Sequence, residues 1–243
     1  MGRSELDLPR RILEKLEEWQ QKEGPLPAYL GLYEQLLRIQ AGAEELICRP
    51  PVEISPQKAK EKIWKGIPLL EWDTLSIDWK TLRDLYNAAA TVLLHHVGSD
   101  SKALLEIGSD IELLKEAARA WYGDTYRAWA DAHGVEAELL AAAVHCAAKP
   151  FIIAHASTLL ELVPQDQWRR GFCPICGGKP DFAYIEKEPA SRWLLCSRCD
   201  STWLFQRIEC PYCENKDQAK LGYRADERNL YRLYLCEQCK SYL

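Results

Sequence analysis

The sequence lacks every short motif that would mark a familiar catalytic centre. It contains no glycine-rich phosphate-binding loop, no Gly-x-Ser-x-Gly nucleophile elbow and no His-Glu-x-x-His metalloprotease motif. Aspartate and glutamate are plentiful, yet no pair is set apart for acid–base chemistry. The five histidines have no partner at ligand spacing, and neither have two of the cysteines; these are His95, His96, His133, His145, His155, Cys48 and Cys146. We therefore expect no catalytic residues and no enzymatic activity.

The sequence also lacks the segments that carry a protein into or across a membrane. Its first residues, Met1-Gly-Arg-Ser-Glu-Leu-Asp, have no apolar core and no cleavage site, which excludes a secretory signal of the usual form. Its apolar runs are broken by charge or look too short to span a bilayer. We expect a cytoplasmic protein with no membrane partner.

A strong basic stripe of the kind that binds nucleic acid is missing too. The net charge is −5; residues 168–243 carry 13 Lys and Arg against 10 Asp and Glu. If eight thiolates and two Zn²⁺ were added, this region would carry about −1, or about +1 with two Fe³⁺. We therefore expect no nucleic-acid partner. A zinc-ribbon nucleic-acid-binding protein stays as the last alternative, and salt-dependent duplex binding would support it.

Cysteine, by contrast, is abundant and strictly arranged near the end of the chain. Eight of the ten cysteines form Cys-x-x-Cys pairs: Cys173/Cys176, Cys196/Cys199, Cys210/Cys213 and Cys236/Cys239. Two intervening residues let a tight turn direct both sulfurs at one ion, and two such turns complete a tetrahedral site. The gaps within the two halves are 19 and 22 residues, close to the usual spacing of about 15–20. All eight cysteines are predicted ligands of two metal ions, zinc or iron.

The same cysteines allow three other interpretations. Sequential sites are favoured because they close shorter loops at lower entropy cost, but a crossed arrangement, with outer pairs on one ion and inner pairs on the other, stays open. A disulfide framework needs an oxidising compartment, for which no signal is present. A thioredoxin-like redox site would need one such motif at a strand-to-helix junction.

The residues inside and directly after the Cys-x-x-Cys pairs indicate the backbone conformation of the turns. Proline follows the first cysteine in two pairs, and Gly177 follows the first pair, where a positive φ lets backbone amides point at sulfur. Asp200, Glu214 and Lys240 occupy the corresponding positions after the other pairs. We expect these residues to adopt the same conformation at a cost of about 1 kcal/mol each.

The rest of the chain is predicted to be helical up to residue 167. Helical periodicity and end signals predict a helix after Asp7 that stops at Gly24, and further helices over 27–47, 58–64, 78–96, 110–123, 124–133 and 135–163. The last should kink or break at Pro150. Residues 51–76 are otherwise expected to be an extended connection. Six or seven helices with short turns indicate a bundle-like domain.

Composition changes at Trp168-Arg-Arg-Gly171, and strands are predicted over 182–185, 193–195, 202–208 and 231–235. The predicted fold class is α plus small β, with an all-helical domain over 1–167 and metal ribbons over 168–205 and 206–243. The second ribbon ends at Leu243, and we expect it to be unusually short or to lack its end. Metals must supply much of the folding free energy of such small ribbons.

The aromatic residues of the ribbons are expected to pack over the metal cores, with a partner surface as the alternative. They are Phe182, Trp193, Trp203, Tyr212, Tyr231 and Tyr234.

The order of these motifs resembles the formate dehydrogenase accessory protein FdhE family. The resemblance rests on Trp168-Arg-Arg-Gly-Phe-Cys-Pro-Ile-Cys-Gly, Leu195-Cys-Ser-Arg-Cys-Asp-Ser-Thr-Trp, Arg207-Ile-Glu-Cys-Pro-Tyr-Cys-Glu-Asn, Cys236-Glu-Gln-Cys-Lys-Ser-Tyr-Leu and, upstream, Gly66-Ile-Pro-Leu-Leu with Asp78. It covers residues from about 60 to the end, and the first helices only loosely. The glycines usual after the later pairs are replaced by Asp200, Glu214 and Lys240.

The resemblance implies two rubredoxin-like modules with iron or zinc on the eight cysteines. It also implies a non-catalytic role in maturing respiratory formate dehydrogenase, through contact with its catalytic subunit in the cytoplasm. A rubredoxin-like redox carrier or sensor is the alternative, because iron on four thiolates can change oxidation state.

Overall fold

The computed structural model describes residues 8–43, 46–98, 101–186 and 190–243. The chain packs as two compact units, Met1–Pro50 with Trp72–Ala154 and Pro51–Glu71 with His155–Leu243. Within the described ranges there are eight α-helices: α1 Leu8–Glu23, α2 Ala28–Ala43, α3 Pro56–Lys65, α4 Trp79–Val97, α5 Lys102–Ser109, α6 Ile111–Tyr122, α7 Tyr126–Ala132 and α8 Ala137–Leu159. The domain limits expected at residues 167 and 205 stay predictions.

The helix ends follow the signals in the sequence. The Asp78 carboxylate accepts hydrogen bonds from the amides of Lys80 and Thr81 and caps α4, as expected for an N-terminal aspartate. Asp110 caps α6 in the same way. Gly24, directly after α1, has a φ of 95°. The predicted cap at Asp7 lies outside the described residues, and α2 stops at Ala43, before the predicted end at Ile47.

Helix α5 was not predicted. It has only eight residues, too few for its periodicity to stand out, yet Leu104 and Ile107 are fully buried. The Tyr86 hydroxyl on α4 donates to the Leu104 carbonyl oxygen at 3.0 Å. Tertiary packing therefore stabilises a helix too short to form alone.

A kink or break of α8 was expected at Pro150; the break was wrong, because the helix continues through this residue, and the kink stays a prediction. Proline costs one backbone hydrogen bond, but the residues around it, Ala147, Ala148, Phe151, Ile152 and Ile153, are all buried. Their burial is strongly favourable, so it holds the helix in one piece.

Together with the 3₁₀ turn that follows it, α8 forms a segment, Ala137–Leu162, long and apolar enough to cross a membrane by length and composition. Its most apolar window has a mean hydropathy of 1.5, and 78% of that window is buried within the structure. The core helix of a soluble protein has the same properties. The predicted absence of a membrane span stays a prediction, although its argument from run length does not hold for this helix.

The second unit contains two small antiparallel sheets. One joins β1 Pro180–Ile185, β2 Arg192–Cys196 and β3 Thr202–Phe205 in that order, and the other pairs β4 Leu221–Ala225 with β5 Arg232–Cys236. Four of these strands were predicted. Strand β4 was missed because it is almost entirely exposed and therefore lacks the alternation that marks a half-buried strand. The predicted fold class, a helical region followed by two small cysteine-bearing β modules, is confirmed.

Candidate metal centres

The eight paired cysteines form two clusters of four sulfur atoms. Cys173, Cys176, Cys196 and Cys199 make the first cluster, and Cys210, Cys213, Cys236 and Cys239 the second; within each, all four sulfurs lie within 4.8 Å of one another. The structure therefore has the sequential arrangement and not the crossed one.

The spacing of the sulfurs fits a tetrahedral ion. Neighbouring Sγ atoms are separated by 3.5–3.6 Å in the first cluster and by 3.6–3.7 Å in the second. Zn–S bonds of about 2.3 Å place the corners of a tetrahedron about 3.8 Å apart, whereas a disulfide needs about 2.05 Å. All eight are free cysteines. Each cluster could hold one metal ion, and four sulfurs leave no coordination position open.

One backbone turn is used four times. The residue after each pair has a positive φ: Gly177 71°, Asp200 56°, Glu214 58° and Lys240 60°. Its amide donates to the carbonyl oxygen of the first cysteine of the pair, at 2.8–3.2 Å in all four turns. The left-handed conformation predicted for the three non-glycine residues is confirmed. Metal-site geometry here outweighs the local preference for glycine.

The amide hydrogen bonds that stabilise thiolates are already formed in the first cluster. The amides of Ile175 and Arg198 donate to the sulfurs of Cys173 and Cys196, each at 3.4 Å. In the second cluster, Nδ2 of the buried Asn215 lies 3.8 Å from the Cys236 sulfur. Such bonds spread the charge of a metal-bound thiolate over the surrounding groups.

The two clusters differ in their electrostatic surroundings. Burial raises the pKa of the Cys173 and Cys199 thiols well above the usual range. In the second cluster, burial raises the pKa of Cys210 to about 12, whereas a side-chain hydrogen bond with Ser241 lowers that of Cys239 to about 6. The first cluster also contains a thiol of lowered pKa, because hydrogen bonds with the other three cysteines lower the pKa of Cys196. A metal that enters either cluster must therefore displace the protons of the thiols whose pKa burial raises.

The two clusters also differ in how far their cysteines are shielded from solvent. All four cysteines of the first are at most 3% exposed, and Trp168 and Trp203 beside them are completely buried. Both indoles are hydrogen-bonded, to the carbonyl oxygens of Phe172 at 2.8 Å and Arg170 at 2.9 Å. In the second cluster, Cys213 and Cys239 are partly exposed. Of the aromatic residues predicted to pack over the metal cores, Trp203 is completely buried, whereas Phe182 and Tyr231 are exposed.

Residues 68–70, far upstream in the chain, pack against and hydrogen-bond to the Cys173/Cys176 turn. The amides of Leu69 and Leu70 donate to the carbonyl oxygens of Pro174 and Ile175 at 2.9 and 2.8 Å. Pro68 lies against Gly177, where a Cβ would come within 3.3 Å of it. These supporting residues were missed as part of the site, because the run Gly66–Leu70 is predicted only as one of the motifs on which the family resemblance rests. The sequence signal that could have identified this segment is its apolar pair, Leu69-Leu70, directly after Pro68.

The two modules contact each other within this unit. The Tyr212 hydroxyl of the second module donates to the Pro180 carbonyl oxygen of the first at 2.9 Å. Gly171 lies directly against the backbone of Pro211, in the first turn of the second module. The ribbons are therefore packed together, although the sequence presents them as a tandem pair.

The histidines and the two unpaired cysteines are not members of either cluster. The His133 ring stacks on Trp129, with 3.9 Å between ring centroids, and the Cys146 sulfur lies 3.6 Å from the Leu36 carbonyl oxygen. Across the part of the chain that the structure describes, no other group of three or more His, Cys, Asp or Glu residues could hold a metal.

These features define the class: a helical protein with two four-cysteine modules. Residues 172–207 match the family model "FdhE, central domain". The "Protein FdhE homolog" of Pseudomonas aeruginosa is 30% identical over 238 residues, which cover 90% of this chain and 71% of the relative. This chain belongs to the FdhE family.

Other relatives match over shorter stretches. The "Protein FdhE homolog" of Aquifex aeolicus is 33% identical over 82 residues, 32% of this chain and 29% of that protein. "Protein FdhE" of Escherichia coli K12 is 29% identical over 77 residues, 31% of this chain and 25% of that protein. The crystal structure of the FdhE protein from Pseudomonas aeruginosa has the same fold, with a TM-score of 0.57 and 22% identity; the match covers 100% of this chain and 83% of that one.

Proposed function

We propose that this chain is a non-catalytic accessory protein that assists the maturation of respiratory formate dehydrogenase. It does so by contacting the catalytic subunit of that enzyme in the cytoplasm. The observation that carries the proposal is membership of the FdhE family over 90% of the chain. The closed four-sulfur clusters support a role without catalysis, because hydrolytic metal sites keep a position open for substrate.

The eight clustered cysteines are proposed to bind two ions, iron or zinc, one in each module. When bound, iron would supply one-electron chemistry, and zinc would supply structure alone. Elemental analysis with a visible spectrum, on protein purified without air, distinguishes the two. Two irons per chain with thiolate-to-iron charge-transfer bands would identify rubredoxin-like centres. Two zincs and no colour would make both centres structural, and fewer than one metal per chain would contradict the assignment.

The accessory role is tested by co-purification. Tagged chain and formate dehydrogenase catalytic subunit would be produced together and isolated under reducing conditions. We expect the wild type to retain the subunit and Cys210→Ser to retain less, because one module loses its ion. Cys48→Ser is the matched control, since Cys48 is exposed and lies outside both clusters. Absence of a complex with the wild type would overturn the proposal.

A redox carrier or sensor is the second candidate, and one observation favours it. The first cluster already has two amide-to-sulfur hydrogen bonds, which tune the potential of an iron–thiolate centre. A reversible optical change on reduction of the iron-loaded protein would support this function. Protein that holds zinc alone when isolated from its own cells would rule it out.

A further inference from the structure

A buried arginine connects the first module to the second. Arg192 begins β2 in the first module and is 5% exposed. Its guanidinium lies over the rings of Phe205 and Tyr234, at 5.8 and 5.4 Å from their centroids. Nη1 donates to the Glu209 carbonyl oxygen at 2.9 Å. The charged end of a first-module side chain therefore lies among residues of the second module.

Within the described ranges, the Arg192 guanidinium forms no ion pair with a carboxylate. The partners of Arg192 are aromatic rings and backbone carbonyls. The nearby carboxylate of Glu209 lies 3.5 Å from the Lys216 ammonium group. Burial lowers the pKa of Arg192, which reflects the cost of removing this cation from water. Buried charges are normally paired. The Glu209 carboxylate raises the pKa of Arg192 through its charge but is shared with Lys216, so we expect a further negative counter-charge close by.

The second cysteine cluster is in the right place to supply it. Glu209, which accepts the Arg192 hydrogen bond, is directly followed by Cys210. Arg192, Cys210 and Cys236 border one cavity of about 140 Å³. Four thiolates with Zn²⁺ carry a charge of about −2, and with Fe³⁺ about −1. The second cluster would thus place further negative charge beside Arg192 when it binds its ion.

We propose that Arg192 is the counter-ion of the second metal centre. It is a positioning residue that stabilises the metal–thiolate charge from outside the ligand set. Because Arg192 belongs to the first module, an intact first module then strengthens metal binding in the second. By linkage, metal in the second cluster stabilises the contact between the modules. This inference rests on the proposed metal binding by Cys210, Cys213, Cys236 and Cys239.

The test compares Arg192→Lys, which keeps the charge, with Arg192→Gln and Arg192→Met, which remove it. Arg224→Met is the control, because Arg224 is an exposed arginine on β4. Zinc-loaded full-length protein is mixed with a chelator, released thiols are alkylated, and mass spectrometry identifies the cysteines. We expect release from the second cluster to accelerate about tenfold in the two neutral variants, since a charge contact near a protein surface contributes on that order. Release from the first cluster should stay within about twofold.

A second measurement separates charge from packing. In iron-loaded protein, loss of the positive charge should lower the reduction potential of the second centre, because the cation favours the more negative, reduced state. Arg192→Lys should keep the wild-type potential. Equal release and equal potential in the neutral variants and the wild type would overturn the inference. So would a lysine variant that behaves like the neutral ones. Wild-type protein that binds no metal in the second cluster would instead refute the metal assignment itself.

Discussion

Gly171→Ala tests whether the second centre depends on its packing against the first module. A Cβ at Gly171 would overlap the carbonyl carbon and oxygen of Pro211 and approach its Cα to 2.9 Å. These are backbone atoms, so they cannot rotate away as a flexible side chain would. Pro211 follows Cys210 inside the turn that supplies two sulfurs. The methyl group must therefore push that turn away from the first module.

The size of the effect follows from the overlap. Extra methyl groups in well-packed regions cost about 1–3 kcal/mol. If that cost falls on the second cluster, its metal affinity should drop about 5- to 150-fold, since 1.4 kcal/mol is a factor of about ten. Chelator competition followed by thiol alkylation would measure the affinity at each cluster separately. The first cluster should keep its affinity.

Two glycine variants complete the experiment. Gly222→Ala is the matched control in the same module, because nothing lies within 4 Å of the Cβ position there. Gly178→Ala should act on the opposite cluster, because its Cβ would come within 2.8 Å of the Cys196 sulfur. The reasoning is refuted if Gly171→Ala and Gly222→Ala release the second ion equally.

Further predictions follow from burial and from the thiol pKa values. Cys213 and Cys239 should be alkylated first when the loaded protein meets a thiol reagent, as peptide mass spectrometry would show; earlier labelling of the first cluster would contradict the burial difference. Metal affinity should rise with pH at both clusters. In each cluster burial raises the pKa of a thiol that must lose its proton when the ion binds, Cys173 in the first and Cys210 in the second; competition titrations between pH 6 and 8 would check this, and an affinity that does not change with pH would contradict it. Tyr86→Phe should cost about 1 kcal/mol through its lost hydrogen bond to Leu104, read as a lower Tm without loss of metal.

The ligands and the helix ends could be predicted from sequence because each depends on local spacing. A Cys-x-x-Cys turn places two sulfurs together wherever it occurs, and the grouping of the pairs followed from loop length. Asp78 caps α4 through its own nearest amides. Even the strained backbone of Lys240 was predicted, since the turn demands a positive φ whichever residue stands there.

The parts that could not be predicted depend on contacts between distant residues. Leu69 and Pro174 are more than a hundred positions apart, so no periodicity links the upstream segment to the first cysteine turn. Arg192 looks like an ordinary surface arginine until β2 and the second module are packed together. Pro150 looks like a helix breaker until its neighbours are seen to be buried.

The two ribbons are similar in sequence but unequal in structure. The first has three strands, a completely buried cluster and two buried indoles, and it receives backbone hydrogen bonds from Leu69 and Leu70. The second has two strands and two partly exposed cysteines. Its contacts with Pro180, Gly171 and Arg192 are all supplied by the first module. The contacts between the ribbons therefore couple the two centres, and because such coupling is reciprocal, loss of either ion should weaken the binding of the other by the same factor, although the first centre also has cover of its own.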